Sequence, residues 1–317
     1  MINSQRIFVE AIKRYGARNG IAIDIKSDGW LIVMQRGDIR RCAFGYDIGL
    51  NSAVAHRIAN DKAATAEVLE MAGIECVPHT LFLSPAMNEY VSTPGSWEAM
   101  LALLNRYPQG LVVKPNEGTT GESVFMVKNK PALELAVTRI FSTCLSLAIS
   151  PRVDIEDEVR VVLLDGEALV VYGKNRPSIV GDGKRSLLEL ALAATPAEQR
   201  STVLPGMIAD LEKADLDSVL TIGERRVLNW RHNLDSGAQP TLLSHGKVRD
   251  VCIGLAQRAA KAIDIRFASV DVVEVGGGWQ VLEINSGVMM ETLSKLHSDL
   301  VYAAYDMALD KVFGSVR

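Results

Sequence analysis

The chain has 317 residues, 34 Lys and Arg against 38 Asp and Glu, a formal net charge of −4 and 48% hydrophobic residues. A chain of this length is predicted to form two or three packed lobes, and the composition excludes a disordered chain. The pI of about 5.8 argues against a general binder of nucleic acids or anionic membranes.

The N-terminal sequence and the cysteine spacing indicate the cellular compartment. The first residues, MINSQRIFVEAIKRYG, indicate an amphipathic helix, because charges interrupt the apolar stretch that a signal peptide needs. No apolar run approaches the roughly 18 residues of a membrane span. The cysteines lie far apart, with no spacing typical of a metal or redox site, so we predict buried, reduced thiols in a cytoplasmic protein. These cysteines are Cys42, Cys76, Cys144 and Cys252.

The first half of the chain alternates helices with short strands. A helix is predicted over 7–15, and the strands IAIDI and WLIVM flank an Asp-Gly turn typical of a hairpin. The segment DKAATAEVLEMAGI has helical spacing and ends at Gly73. A strand over 77–83, a helix over 96–105, the strand–loop–strand segment LVVKPNEGTTGESVFMV and a helix over 131–141 follow.

The second half repeats this alternation. It contains the hairpin VRVVLL–DGE–ALVVYG, a helix in GDGKRSLLELAL, a charged helical segment over 201–218 and a strand in VLNWRHNL. A helix in VRDVCIGLAQRAAKAI and the hairpin ASVDVVEVGGGWQVLEIN complete it. Hairpins that alternate with helices favour the α+β class, with lobes built around antiparallel sheets.

The glycine-rich loop is the first candidate binding element. Gly118 and Gly121 enclose Thr119 and Thr120, which leaves a backbone able to wrap around a polyanion, and Lys114 stands at the end of the preceding strand. A phosphate loop of the Walker type is excluded, because its lysine follows the glycines at a helix start. The alternative is a flexible hairpin loop with a surface lysine.

The last hairpin is the second candidate. If its turn is centred on Gly277, Asp271 faces Glu283, and Asn285 lies two residues further along the same face. The opposite face would carry Val270, Val272, Leu282 and Ile284. Two opposed carboxylates repel unless a cation lies between them, and these oxygen ligands suit Mg²⁺. No Lys or Arg in the hairpin pairs with the acids, which favours a metal over a solvated polar face.

Two further groups of polar residues are weaker signals. Arg231 and Asn233 lie two apart on the predicted strand VLNWRHNL, where one cation and one amide could hold an anionic oxygen. Arg160 begins the earlier hairpin, next to Glu158, and Lys174 lies near the end of its partner strand. A solvated sheet face would have the same composition, so spacing alone does not decide between the two.

Taken in order, these segments resemble the ATP-grasp superfamily of carboxylate–amine ligases, and in particular the ATP-grasp modules of cyanophycin synthetase and bifunctional glutathione synthetase. The matching stretches run from Asp61 to about Leu293. The resemblance implies a short N-terminal α/β segment over 1–60 and an ATP-grasp domain over 61–317. That domain would clasp ATP between a lid lobe, about 77–150, and a metal-binding lobe, about 151–317.

The resemblance also implies roles for individual residues. Lys62, Lys114, Glu158, Lys174 and the loop Gly118–Gly121 would bind ATP, with backbone near 150–153 on the adenine. Asp271, Glu283 and Asn285 would bind Mg²⁺, with Mn²⁺ as a second candidate. Arg160, Arg231 and Asn233 would face the transferred phosphoryl group or the acyl substrate.

The implied activity joins an amino-acid or peptide carboxylate to an amine through an acyl phosphate. The implied partners are small molecules and a second copy of the chain, with no nucleic acid and no membrane. The alternatives are a small-molecule kinase on the same fold and a catalytically silent nucleotide-binding scaffold. Two departures bear on specificity: SPRVD replaces the usual acidic hinge, and INSGVMMETL replaces the usual Asn-x-x-Pro-Gly loop.

Overall fold

The computed structural model describes residues 6–87, 89–91, 96–118 and 123–314. The chain forms two compact units: unit 1 comprises Met1–Val171 and Ser244–Arg317, and unit 2 comprises Tyr172–Leu243. The N-terminal segment over 1–60 lies within unit 1. Among the described residues, no helix combines the length and apolarity needed to cross a membrane.

The N-terminal part of unit 1 is a three-stranded antiparallel sheet with three helices. Its elements are α1 (Ile7–Asn19), β1 (Ala22–Lys26), β2 (Leu31–Arg36), β3 (Ile39–Phe44), α2 (Ala53–Asn60) and α3 (Lys62–Met71). The predicted helix and the Asp-Gly hairpin are confirmed. The additional strand β3 lies at the sheet edge and is mostly exposed, so its sequence IRRCAF has no apolar alternation to signal it.

A four-stranded antiparallel sheet follows, in the order β4-β7-β5-β6. Its elements are β4 (Thr80–Leu83), α4 (Trp97–Arg106), β5 (Leu111–Pro115), β6 (Phe125–Val127), α5 (Lys130–Phe141) and β7 (Ser146–Pro151). Val113 and Ile149 pair in this sheet and join the apolar core beneath α4 and α5. Because side chains alternate along a strand, the next pair, Lys114 and Ala148, lies on the opposite face.

The remaining elements complete both units. In chain order they are β8 (Glu158–Leu164), β9 (Glu167–Asn175), β10 (Ser178–Val180), α6 (Leu187–Ala194), α7 (Leu204–Ile208), α8 (Lys213–Leu216), β11 (Arg225–Val227), β12 (Gln239–Leu242), α9 (Lys247–Ala262), β13 (Phe267–Val275), β14 (Gly278–Asn285) and α10 (Glu291–Phe313).

The central sheet of unit 1 has the strand order β9-β8-β13-β14. Both hairpins predicted here are confirmed. The whole of β8 also pairs antiparallel with β13, from Phe267 to Val273. The strand β13 is buried over its first seven residues, Phe267–Val273. Helix α9 packs on this sheet, and α10 packs against α1.

Unit 2 has a small core of its own. The pair β10–β11 and helices α6 and α7 bury Ile179, Leu187, Leu190, Leu204 and Leu228. Strand β12 pairs with the end of β9, from Tyr172 to Asn175. The predicted strand VLNWRHNL is wrong beyond Val227, and the charged segment over 201–218 forms only two short helices.

The four cysteines carry free thiols, as predicted, but their predicted burial is largely wrong. Only Cys252 is buried, Cys76 and Cys144 are partly exposed, and Cys42 is exposed on the edge strand β3. The apolar neighbours in the sequence misled the prediction, because β3 alternates only weakly and lies at a sheet edge.

Candidate functional site

Two lysines come together where α3 begins beside the end of β5. Asp61 caps α3 by accepting a hydrogen bond from the backbone N–H of Ala64 at 2.8 Å. Asn116, which follows β5 and is buried, accepts from the N–H of Ala63 through Oδ1 and from the N–H of Lys62 through its carbonyl oxygen. These bonds hold the first turn of α3 against the strand that carries Lys114.

The side chain of Lys62 extends to the start of the glycine-rich loop. Its ammonium donates to the carbonyl oxygens of Gly118 at 2.8 Å and Asn116 at 3.4 Å. Gly118 has a φ of +119°, a backbone conformation that residues other than glycine rarely adopt. The other predicted loop residues, Thr119, Thr120 and Gly121, lie outside the described residues.

Burial shifts the pKa of both lysines downwards. The side chain of Lys114 is 7% exposed, and burial lowers its pKa to about 8 despite the attraction of Glu283 and Glu158. Burial also lowers the pKa of Lys62, again against the attraction of Glu283. No described carboxylate forms an ion pair with either ammonium. A buried ammonium and a partly buried ammonium without a contacting anion are an arrangement suited to an anionic ligand.

The last hairpin has the predicted register at its acidic residues, and a bulge is the reason. The turn is the two-residue Gly276–Gly277, with φ values of +58° and +77°, so the expected three-glycine turn is wrong. This turn pairs Val272 with Val281, one residue out of the predicted register. A β-bulge next to Asp271 then restores the predicted pairs Asp271–Glu283 and Ser269–Asn285.

The bulge also changes the opposite face of the hairpin. The prediction placed Leu282 there with Val270, Val272 and Ile284. Val281 is the residue that pairs with Val272, and it is 1% exposed, whereas Leu282 is only partly buried. The sequence could not show this, because Val281 and Leu282 are adjacent and both apolar, so either residue could face the core.

The buried Asp271 has a cationic partner that the sequence analysis did not foresee. Arg160 on β8 lies opposite it in the sheet, and the guanidinium donates two hydrogen bonds to the carboxylate, at 2.7 Å from Nε and 2.6 Å from Nη2. Asp271 is fully buried and Arg160 is mostly buried. The absence of a cation within the hairpin was therefore a poor argument for a metal, because the partner lies 111 residues away.

The register places the predicted acidic residues and Arg160 on one face of the central sheet. Arg160 and Asp271 are paired, Asp271 faces Glu283, and alternation adds Asn285 and Glu158 to the same side. Asn285 donates a hydrogen bond to Glu283 at 3.3 Å, which brings these two side chains together. Among the described residues no group of three His, Cys, Asp or Glu is arranged for a metal ion, and the predicted set contains two such acids.

The chemistry of this oxygen set nevertheless fits a hard cation. Asp271, Glu283 and Asn285 contribute two carboxylates and an amide oxygen from the same face of the sheet. Mg²⁺ takes one or two protein carboxylates and keeps its remaining positions for water or phosphate. We therefore retain these three residues as the candidate metal ligands.

The candidates in unit 2 make local contacts. Arg231 forms an ion pair with Asp210 at 3.5 Å, and Asn233 accepts a hydrogen bond from the N–H of Asp235 at the start of a short 3-10 helix. Lys174 is buried on β9, and its carbonyl oxygen lies 2.6 Å from Nδ1 of His232. The predicted shared strand face of Arg231 and Asn233 is wrong, because neither residue is in a strand.

Two residues near the lysines had escaped the sequence analysis. Asn116 joins α3 to β5, as described above, and His79 lies just before β4 with 7% of its surface exposed. Burial lowers the pKa of His79 well below its ordinary value, and the nearby Lys114 ammonium adds to the effect. No sequence signal marks either residue, since each is a single polar side chain beside an apolar run.

Solved structures of known proteins share this architecture. No protein-family model matches the sequence, and no curated protein does. A bifunctional glutathione synthetase from Pasteurella multocida superposes with a TM-score of 0.55 and 17% identity, over 96% of this chain and 45% of that one. The chain thus spans less than half the length of that protein.

A second enzyme also superposes on this chain. The D-alanine–D-alanine ligase from Bacillus anthracis superposes with a TM-score of 0.55 and 16% identity, over 83% of this chain and 69% of that one. Its structure in complex with ATP superposes with a TM-score of 0.53 and 15% identity, over the same shares of the two chains. At these identities the likeness concerns architecture, and it confirms the α+β prediction. The chain therefore has the ATP-grasp fold.

Proposed function

We propose that this protein is an ATP-dependent carboxylate–amine ligase. The observation that carries the proposal is the group of Lys62, Lys114, Glu158 and Glu283, which the fold brings within electrostatic range of one another in unit 1. One buried and one partly buried ammonium group near acidic oxygens match what a nucleoside triphosphate with its cation requires. The ATP-grasp fold of the chain supports the same assignment.

In the proposed complex the lysines hold phosphate oxygens. Lys62 and Lys114 bind the triphosphate as point charges, and the backbone at Gly118 approaches it closely because no side chain intervenes. Glu158 accepts hydrogen bonds from the ribose hydroxyls, and the backbone after β7, around residues 150–153, contacts adenine. Lys174 and the loop over 119–121 are further candidates for contacts with the nucleotide.

Asp271, Glu283 and Asn285 would hold Mg²⁺, or Mn²⁺ in its place. When bound, such an ion neutralises charge on the phosphates and orients them for transfer. Arg160 has two effects on this arrangement. It fixes the orientation of the Asp271 carboxylate and supplies positive charge on the face where Glu283 lies.

The proposed reaction has two steps, and no protein nucleophile is needed. A substrate carboxylate oxygen attacks the γ-phosphorus of ATP, the bond to the β-phosphate oxygen breaks, and an acyl phosphate and ADP result. An amine nitrogen then attacks the acyl carbon and loses a proton, and phosphate leaves. Positive charge from Arg160 and Arg231, together with the Asn233 amide, would stabilise the oxygens that gain charge in both steps.

Amino acids or short peptides are the proposed substrates. Both solved neighbours are ligases whose names refer to amino-acid or peptide products, and the chain shares their fold at low identity. A kinase on the same fold would use the same lysines and metal ligands and would omit the amine step. A silent scaffold is less consistent with the candidate metal ligands Asp271, Glu283 and Asn285 on one sheet face.

The test is product analysis with ATP and Mg²⁺ across a panel of amino acids and dipeptides, offered singly and in pairs. We expect ADP and free phosphate only with a particular acyl and amine pair, and the new amide in the mass spectrum. The variant Glu283→Gln is the matched control, since it keeps the side-chain shape and removes the charge. ADP without free phosphate would identify a kinase, and AMP would contradict the acyl-phosphate route.

A further inference from the structure

The imidazole of His79 has one satisfied and one unsatisfied nitrogen. Nδ1 lies 2.9 Å from the carbonyl oxygen of Val77, and a carbonyl only accepts, so Nδ1 carries the proton. Nε2 is then a lone-pair acceptor. It is buried and has no hydrogen-bond partner among the described residues. Burial and the charges of Lys114 and Lys62 lower the pKa of the imidazole, which keeps it neutral.

Lys62 has the complementary deficiency. Its ammonium has three N–H donors, and two of them point to the carbonyl oxygens of Gly118 and Asn116. The third donor has no acceptor within hydrogen-bond distance in the described part of the chain. Lys62 is partly buried, so a missing hydrogen bond has a cost there.

A small pocket between α3 and β14 contains both groups. Its walls include Lys62, His79 and Glu283, with apolar Leu69 and Val281 and the hydroxyl-bearing Thr65 around them. A buried water molecule needs two to four polar partners. One water here would accept from Lys62 and donate to Nε2 of His79 and to the Glu283 carboxylate, which satisfies all three groups.

We propose that His79 is a positioning residue for Lys62 and acts through a water molecule held in this pocket. The imidazole fixes the third hydrogen bond of the ammonium, so that Lys62 has one orientation between the backbone of Gly118 and the triphosphate. The inference rests on the proposed function, since the effect concerns ATP. His79 itself does not contact the nucleotide.

A double-mutant cycle on ATP affinity tests this role. The variants are His79→Leu, Lys62→Met and the double variant, and ATP is titrated with EDTA present so that metal binding by Glu283 does not contribute. We expect His79→Leu to lower the affinity by about tenfold to a hundredfold, as loss of one hydrogen bond to a charged group would. In the Lys62→Met background the same change should alter the affinity by less than about twofold.

The conservative variant His79→Gln separates positioning from packing. A glutamine oxygen reaches the place of Nε2, so this variant should recover most of the ATP affinity, while leucine should not. An equal loss from His79→Leu in both lysine backgrounds would overturn the proposal, and so would failure of glutamine to recover binding. Thermal unfolding of each variant shows which ones remain folded. If His79→Leu is unfolded, the comparison of His79→Gln with the wild type still tests the proposal.

A second readout does not involve ATP. Long-range ¹⁵N–¹H correlation spectra of the wild-type protein report which imidazole nitrogen carries the proton. We expect a neutral ring protonated on Nδ1, with an Nε2 shift typical of a hydrogen-bonded acceptor that changes in Lys62→Met. A proton on Nε2, or a shift that is insensitive to Lys62, would contradict the proposal. If the wild-type protein fails to bind ATP while the tautomer result holds, the proposed function fails and the His79–Lys62 link does not.

Discussion

The two charged clusters of unit 1 differ in how their charges are compensated. In the central sheet, Asp271 is fully buried and receives two hydrogen bonds from Arg160. Beside α3, the partly buried ammonium of Lys62 donates to backbone carbonyls, the buried ammonium of Lys114 has carboxylates only at a greater distance, and neither forms a described ion pair. The charges of the first cluster are balanced within the protein, whereas the second cluster is suited to an anion from outside.

This difference predicts different effects of substitution on stability in the two clusters. A buried ion pair contributes little net stability, but removal of one partner leaves an uncompensated charge. A buried ammonium that lacks a paired anion already lowers the stability of the fold, and an anionic ligand relieves that cost on binding.

The largest effect is expected at Arg160. Arg160→Leu leaves the buried carboxylate of Asp271 without its cation, and we expect the free energy of unfolding to fall by about 3–5 kcal/mol. Urea unfolding at pH 7 measures the change. The double variant Arg160→Leu with Asp271→Leu should recover most of the loss, because no buried charge remains. A small effect of the single variant would show that Asp271 is not compensated mainly by Arg160.

A pH dependence is expected at Lys114. The pKa of its buried amine is about 8 in the folded protein, below the ordinary value of 10.5. Between these values the unfolded chain binds a proton that the folded protein does not, so stability rises with pH from about 8 to 10.5, by up to about 3 kcal/mol. Below pH 8 the amine is protonated in both states, and this contribution to stability is absent.

The matched control is Lys114→Met, which keeps the length of the side chain. Its stability should lack the rise between pH 8 and 10.5, and at pH 7 it should equal or exceed that of the wild type, because the cost of burying the charge is gone. Urea unfolding across this pH range checks both statements. An unchanged slope in Lys114→Met would assign the dependence to other groups.

Nucleotide affinity changes in the opposite direction to stability. Lys114→Met should weaken ATP binding at least about tenfold, since it removes a charge-assisted hydrogen bond to phosphate. Isothermal titration at pH 7 measures the affinity. ATP binding by the wild type should also weaken above pH 8, as the amine loses its proton. Equal affinities for wild type and variant would remove Lys114 from the proposed site.

The smallest effect is expected at an exposed ion pair in the same unit. Arg266 donates hydrogen bonds to Asp165 at 2.7 and 3.1 Å, but both side chains are substantially exposed. Arg266→Ala should cost no more than about 1 kcal/mol, because solvent screens the pair. This variant calibrates the Arg160 result, since both pairs are bidentate, but the Arg266 pair is more exposed and Asp165 also keeps Lys311 at 3.3 Å. A similar cost at the two sites would mean that burial does not set the difference.

The hairpin β13–β14 shows how far the sequence could be used for prediction. Alternation and the glycine turn correctly predicted that Asp271 faces Glu283, although the assumed turn was one residue too long and the bulge beside Asp271 compensated. The partner Arg160 could not be found in the same way. Pairing between β8 and β13 depends on the tertiary arrangement of strands that lie more than a hundred residues apart.

Unit 2 shows where local pattern fails. The segment VLNWRHNL has the composition of a strand, yet it leaves the strand after Val227, because polar side chains take over the backbone hydrogen bonds. Asn229 accepts from the N–H of Arg231 and donates to the carbonyl oxygen of Gly206. Such contacts depend on tertiary neighbours. The predicted roles of Arg231 and Asn233 therefore stay predictions without a shared strand to support them.

The most direct test of the central claim is equilibrium binding of ATP, with and without Mg²⁺, to the wild type, Lys114→Met and Glu283→Gln. We predict that the wild type binds ATP and that Mg²⁺ raises its affinity. Lys114→Met should bind weakly under both conditions, and Glu283→Gln should bind ATP but lose the effect of Mg²⁺. Absence of binding by the wild type with Mg²⁺, or equal binding by all three proteins, would contradict the assignment of this cluster as the nucleotide site.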